Sequence, residues 1–138
     1  MQMFTHGTIT GLSFLTVGLI YDRTHTRDIN KLGALTRKMP MVALFFMISG
    51  LASLGLPGFS GFVSEIMIFL GTYKIFPVYT IISAFGVVLA AAYILWMTQR
   101  ALFGENKLKS DDKTYDFNSL KDASMFDLLP AFIITIPI

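Results

Sequence analysis

The residue of this 138-residue chain best placed to do chemistry is Glu65, set in the run FVSEIMIFLG from Phe62 to Gly71. A carboxylate flanked by Phe62, Val63, Ile66, Met67, Ile68 and Phe69 costs roughly 2.5 to 3.5 kcal/mol to place in a bilayer unless it is paired or hydrated. A dry surround favours the neutral acid, whereas water, or the positive end of a half-helix starting near Ser60, favours the carboxylate. A group poised between those two states can relay a proton. The alternatives are a carboxylate at an interface or one held in a fixed ion pair. His6 is the second such residue, because an imidazole both accepts and donates a proton near neutrality. The alternative there is an interfacial histidine, or one satisfied by Thr5 or Thr10. Lys74 reads first as a snorkelling residue whose stem lies along apolar surface while its ammonium reaches the headgroups. A pairing of Lys74 with Glu65, nine residues earlier, is the second possibility.

The elements that hold these groups follow from where charge is absent. The 61 positions from Met39 to Gln99 carry two ionisable charges, Glu65 and Lys74, and Ile75 to Met97 is a charge-free run of 23 residues. At about 1.5 Å per residue that run exceeds the roughly 30 Å hydrocarbon core. Pro40 to Phe76 and a weaker Phe4 to Tyr21 supply two further spans, the latter diluted by Thr5, His6, Thr8, Thr10 and Thr16. A fourth apolar segment runs from Met125 to Ile138. The apolar runs lack the period-two alternation of barrel strands, so the fold class is all-α, with membrane helices that satisfy their own backbone. Phe4 to Tyr21 has neither a basic leader nor a small-residue cleavage pattern and does not read as a signal peptide.

Pro40 to Phe76 is too long for one crossing of regular helix and has Pro57 and Gly58 at its middle. A single interrupted span, broken near residues 57–60, accommodates it. Proline 57 cannot donate to the carbonyl of Ser53, Gly55, Gly58 and Gly61 allow close backbone approach, and Ser60 is placed to cap a second half-helix. Broken membrane helices occur where protein or a water-filled cavity surrounds the freed backbone groups, so the break marks a site.

Eleven basic residues stand against nine acidic ones, and the basic residues fall five, one and five into the three connections. Arg23, Arg27, Lys31, Arg37 and Lys38 lie in the first, Lys74 in the second, and Arg100, Lys107, Lys109, Lys113 and Lys121 in the third. The first and third connections, residues 22–39 and 101–124, therefore share a face, and the positive-inside rule makes it the cytoplasmic one or its stromal or matrix equivalent. The basic excess is topological, and nucleic-acid binding is not expected. The chain has no cysteine, which excludes disulfides, thiolate metal sites and iron–sulfur ligation on it. His25 has no second histidine or carboxylate at metal-ligand spacing, and no glycine-rich phosphate loop is present. Tyr93 and Trp96 read as interfacial aromatics near the cytoplasmic end of the third span. Gly104 to Asp122 reads as a solvated connection, and Leu120 to Phe126 as the beginning of the next helix, with Asn118 or Ser119 as its cap.

The strings HGTITGLSFLTVGLIYDRTHTRDINKLGALTRKMP, from His6 to Pro40, and GLASLGLPGFSGFVSEIMIFLG, from Gly50 to Gly71, resemble the C-terminal part of the M-type membrane subunits of NADH:quinone oxidoreductases. The mitochondrial version is called subunit 4, chloroplasts and cyanobacteria have counterparts, and more distant relatives are multisubunit cation/proton antiporters and membrane-bound hydrogenases. The family's fold has fourteen membrane helices. The resemblance implies that Phe4 to Tyr21 is its eleventh helix, Pro40 to Phe76 its discontinuous twelfth, Pro77 to Arg100 its thirteenth and Met125 onward its fourteenth. It also implies a fragment amounting to roughly the last third of the subunit. Thr8, Ala34 and Asp127 depart from the family pattern, the last falling where the family is apolar.

What the resemblance implies for chemistry is a proton-translocating subunit of a respiratory or photosynthetic quinone oxidoreductase. His6 matches the histidine that joins the central hydrophilic axis to the exit path, and Glu65 the terminal proton-loading carboxylate facing the outer side. The chain itself would hold no cofactor, with NADH, flavin, iron–sulfur clusters and quinone all bound by partner subunits. Its partners would be the L-, N- and K-type membrane subunits and the lipid bilayer of a bacterial cell, a thylakoid or an organelle. The rivals are a sodium/proton antiporter or hydrogenase subunit and, from another class, a membrane scaffold with no ion path.

Overall fold

The computed structural model describes residues 1–30, 32–104 and 120–138. Five α-helices account for most of them: α1 (Gln2–Thr24), α2 (Pro40–Ser53), α3 (Ser60–Tyr73), α4 (Pro77–Thr98) and α5 (Met125–Thr135). A short 3-10 turn, Leu35–Arg37, precedes α2, and a π-helical turn, Gln99–Phe103, prolongs α4. Among the described residues no strand occurs.

Prolines and a left-handed residue set several of these limits. Pro40 and Pro77 occupy the first helical positions of α2 and α4, where the missing N–H has no intrahelical partner to lose, and the preceding Met39 and Phe76 take the extended φ of −130° and −132° that a following proline favours. α1 ends at His25, whose φ of 48° is left-handed and whose N–H donates to the Tyr21 carbonyl at 2.7 Å. α1 is longer at both ends than Phe4 to Tyr21. Its buried stripe, Thr5, Ile9, Leu12, Thr16, Ile20 and Thr24, follows the three-and-four spacing of one helix face. Of the threonines that dilute its hydropathy, Thr5 and Thr16 belong to that packed face. Thr16 and Thr24 return their hydroxyls to the Leu12 and Ile20 carbonyls at 2.9 and 2.8 Å, leaving a narrow surface for close helix approach.

α1 packs most extensively against α2 and α5. Leu12 and Ile20 meet Val42, Ala43, Phe45 and Phe46 of α2 and Leu128 and Ala131 of α5, and Phe45 stacks edge-on against Phe132 at 4.8 Å. α3 and α4 lie beside this trio with much of their apolar surface uncovered, including Ile66, Leu70, Ile81, Ile82, Phe85, Val88 and Leu89. Among the described residues two helices, Gln2–Thr24 and Pro77–Phe103, are long and apolar enough to cross a membrane. An apolar face of that extent on α4 is at home against lipid or further helices, not water.

One end of the bundle is clasped by polar contacts between distant segments. Asp122, just before α5, accepts hydrogen bonds from the backbone N–H groups of Met41 at 2.8 Å and Val42 at 3.4 Å, and so caps α2 from 81 residues away. Thr36 donates to the Leu102 carbonyl at 2.9 Å, and Arg23 pairs with Asp127 at 2.9 Å. The first connection and the segments flanking the third therefore meet at the same end of the bundle. This arrangement is the one that the five, one, five distribution of basic residues requires.

The last helix begins later than Leu120, because Ser124 and Asp127 form a reciprocal capping box at Met125. Leu120 to Ser124 is not helical, and Asn118 and Ser119 lie outside the described residues. Asp127, out of place in an apolar pattern, thus serves both a helix start and the Arg23 ion pair. Replacing Asp122 with alanine should lower stability by about 1 kcal/mol, and Asp122→Asn by less, since asparagine still caps. Unfolding titrations in mixed detergent micelles, comparing both variants with the parent, check this ordering.

Candidate functional site

α2 ends at Ser53 and α3 begins at Ser60, so the break spans residues 54–59 and opens earlier than 57–60. Gly55 terminates α2, ahead of Pro57. It takes a left-handed φ of 62° and donates its N–H to the Ala52 carbonyl at 3.1 Å, the bond typical of a glycine-terminated helix. Pro57 is exposed in the turn that follows, after the helix has already ended. Gly58 has a φ of 110° with open space where a side chain would be. Gly61 is buried and serves close approach: a Cβ there would lie 3.0 Å from the Ala52 carbonyl oxygen and 3.6 Å from Ile9 Cδ1.

Ser60 does not cap α3. The cap residue is Phe59, with no side-chain hydrogen bond, and Ser60 is the first helical residue. Its N–H donates to the Ile138 carbonyl at 2.7 Å, which ties the start of α3 to the segment after α5. The buried Ser60 Oγ has no hydrogen-bond partner among the described residues.

His6, on the second turn of α1, and Glu65, on the second turn of α3, line one cavity of about 320 Å³ at this break. Residues 59 positions apart in the sequence are thereby brought to a common space. Gln2, Thr10, Ser13 and Ser53 add polar groups to its wall, and Gly61 forms part of it. Thr10 donates its hydroxyl to the His6 carbonyl at 2.6 Å, so it serves the helix backbone and leaves the imidazole to the cavity. The Gln2 Oε1 atom is buried with no protein partner among the described residues. A polar cavity of this volume has room for several waters, the ordinary partners of such an acceptor.

Glu65 lies directly against the break. A Cβ built on Gly55 would overlap Glu65 Oε2 and lie 2.8 Å from its Cδ. The carboxylate thus occupies the place where every residue other than glycine carries a side chain. The glycine spacing in the sequence signals close approach but does not single out Gly55 as the one beneath the carboxylate.

Lys74 is not brought to the site. It caps the C-terminus of α3, nine residues or about 13 Å along the axis from Glu65, and no ion pair joins the two. The pairing of Lys74 with Glu65 is not formed. Tyr93 is brought to the site, which its sequence position did not signal. α4 continues through its π turn to Phe103, so Tyr93 stands ten residues inside the end of the helix and lines the cavity beside Ile94. Trp96, one turn further on, is nearer that end, with the Arg100 guanidinium 4.6 Å from its ring centroid.

Residues 1–91 match the family described as NADH:quinone oxidoreductase/Mrp antiporter, TM. NADH-quinone oxidoreductase subunit M of Rhodobacter capsulatus is 43% identical over 130 residues, covering 94% of this chain and 25% of the relative. The subunit of that name from Escherichia coli K12 is 39% identical over 137 residues, covering 97% and 26%. F(420)H(2) dehydrogenase subunit M of Methanosarcina mazei is 41% identical over 124 residues, covering 90% and 25%. The chain spans about a quarter of the length of these curated relatives, less than the third expected. All-helical, with long apolar helices and a family match over its first 91 residues, the chain belongs to the NADH:quinone oxidoreductase/Mrp antiporter family of membrane proteins.

Proposed function

We propose that this chain carries the exit part of a proton path in an antiporter-like subunit of a quinone oxidoreductase. The observation that carries the reading is the shared cavity of His6 and Glu65 at a break in the helix. In it, Glu65 exchanges protons with the outer aqueous phase, and His6 passes them to Glu65 from the interior of the membrane through water held by the polar wall. A hydrated carboxylate and an imidazole can each load and unload a proton, whereas the apolar surfaces around them block leakage. The helices α1, α2 with α3, α4 and α5 take the places of the eleventh to fourteenth helices, with α2 and α3 as the two halves of a discontinuous twelfth.

The electron donor acts on other subunits. Relatives of nearly equal similarity bear the names of an NADH-linked and an F420H2-linked enzyme, which supports a subunit indifferent to the donor. NADH or ferredoxin, flavin, iron–sulfur clusters and quinone belong to partner subunits in this reading, and the neighbouring membrane subunits are of the L, N and K types. Residues 22–39 and 101–124 face the cytoplasm or its stromal or matrix equivalent, the membrane being that of a bacterial cell, a thylakoid or an organelle.

Glu65→Gln in the full-length parent should sharply reduce proton pumping per quinone reduced, and Glu65→Asp should reduce it less, because the ionisable group survives with a shorter reach. Simultaneous measurement of quinone reduction and vesicle acidification checks this, and near-normal pumping by Glu65→Gln would sink the relay. The 138 residues alone, reconstituted in vesicles, should pass no protons, since two relay groups near one end of a bundle do not form a path across a bilayer. A sustained pH change in such vesicles would contradict that.

A further inference from the structure

We propose that Gly55 is a positioning residue for Glu65: the bare Cα of the helix break is the seat against which the carboxylate is held facing the His6 cavity. This inference rests on the proton-relay reading of that site and deepens it.

Three observations meet at Gly55. Its φ of 62° is the left-handed region that side chains disfavour, so glycine both ends α2 and turns the chain toward α3. The space of its absent side chain is filled by Glu65, whose Oε2 and Cδ an ideal Cβ would meet, with Oε1 at 3.2 Å. Gly55 Cα also lies 3.9 Å from the position of a Gly61 Cβ, so the turn packs against the face of α3 that carries both Gly61 and, one helical turn on, Glu65. The atoms an added side chain would meet are the far end of the flexible Glu65 side chain, so the carboxylate is what must move. A carboxylate displaced by the width of a methyl group leaves its place in the cavity, and donor–acceptor alignment across it is lost.

Gly58 provides the internal contrast. Its φ of 110° also disfavours a side chain, yet a Cβ there meets nothing within 4 Å. Substitution at Gly58 strains the turn without touching Glu65; substitution at Gly55 does both. Asparagine, which tolerates the left-handed region better than other side chains, lessens the strain at Gly55 while keeping the overlap.

The test is made in the full-length parent within its complex, with quinone reduction and proton pumping measured together. Gly55→Asn should lower protons pumped per quinone reduced on the order of tenfold. Adding Glu65→Asp, whose carboxylate is one methylene shorter and clears the new Cβ, should raise that ratio above Gly55→Asn alone. Gly58→Ala should keep a ratio well above that of Gly55→Asn. Equal ratios in Gly55→Asn and Gly58→Ala, or no rescue by Glu65→Asp, overturn the proposal. Where Gly55→Asn does not assemble, assembly regained with Glu65→Asp supports the overlap as the cause, and assembly not regained overturns it. Normal pumping by Glu65→Gln would remove the relay and the seat together, whereas loss in Glu65→Gln with normal pumping by Gly55→Asn removes Gly55 alone.

Discussion

A polypeptide that stops being helical within a membrane must give its backbone N–H and C=O groups to something other than lipid, at several kcal/mol for each group left without a partner. In the proposed reading of α2 and α3 as two halves of one span, residues 54–59 are where this chain meets that constraint. The Leu54 and Gly55 N–H groups return to the carbonyls of Leu51 and Ala52, Phe59 turns back to Leu56, and Ser60 reaches across to Ile138. The local backbone bonds, with the Ser53 hydroxyl donating to the Gly50 carbonyl at 2.8 Å, serve the end of α2, and the Ser60 bond reaches to Ile138. A cavity with polar walls at the same place then accepts what the backbone does not satisfy. The site exists because the helix breaks there, and the break is tolerable because the site is there.

The opposite end of the bundle keeps that break in register. Asp122 caps α2, and Arg23 and Asp127 join α1 to α5, so the three mutually packed helices share polar contacts at the end where their N- and C-termini meet. An exposed ion pair alone adds little stability, whereas a carboxylate on free helix N–H groups also complements the helix dipole. With α2 held at Met41 and packed along Val42, Phe45 and Phe46, its last turn is delivered to a defined position against α1. Ala52 there meets Gly61, and the first turns of α3 carry Glu65 to the cavity.

Much of this is legible in the residues themselves. The charge-free run from Ile75 to Met97 announces α4, the length of Pro40 to Phe76 announces an interruption, and a lone carboxylate in apolar surroundings announces Glu65. What escapes is information carried by distant partners. Asp122 looks like one acid among several in a polar connection, and nothing local says that it caps a helix 81 residues earlier. Pro57 is the obvious helix breaker by composition, yet Gly55 acts first, because a left-handed residue ends a helix whether or not a proline follows. Tyr93 reads as interfacial, and nothing local says that it also lines the cavity of His6 and Glu65. Thr5 and Thr16 read as dilution of a hydrophobic span, when small side chains that bond to their own helix are what close packing requires.

The position of the cavity follows from an asymmetry in the packing. α1, α2 and α5 bury one another's apolar faces, while α3 and α4 leave most of theirs uncovered. The seam between the two sets is where α1 and the end of α2 meet the start of α3 and the C-terminal part of α4, and the cavity draws its wall from all four. Polar groups buried inside the packed trio would be dry, and on the uncovered faces they would contact lipid. At the seam they can be hydrated, with Ile9 and Ile94 forming the apolar part of the wall. The relay role proposed for Glu65, alternation between charged and neutral forms, needs such a place: enough water to stabilise the charge, and a surround close enough in polarity to apolar that losing the charge is not prohibitive.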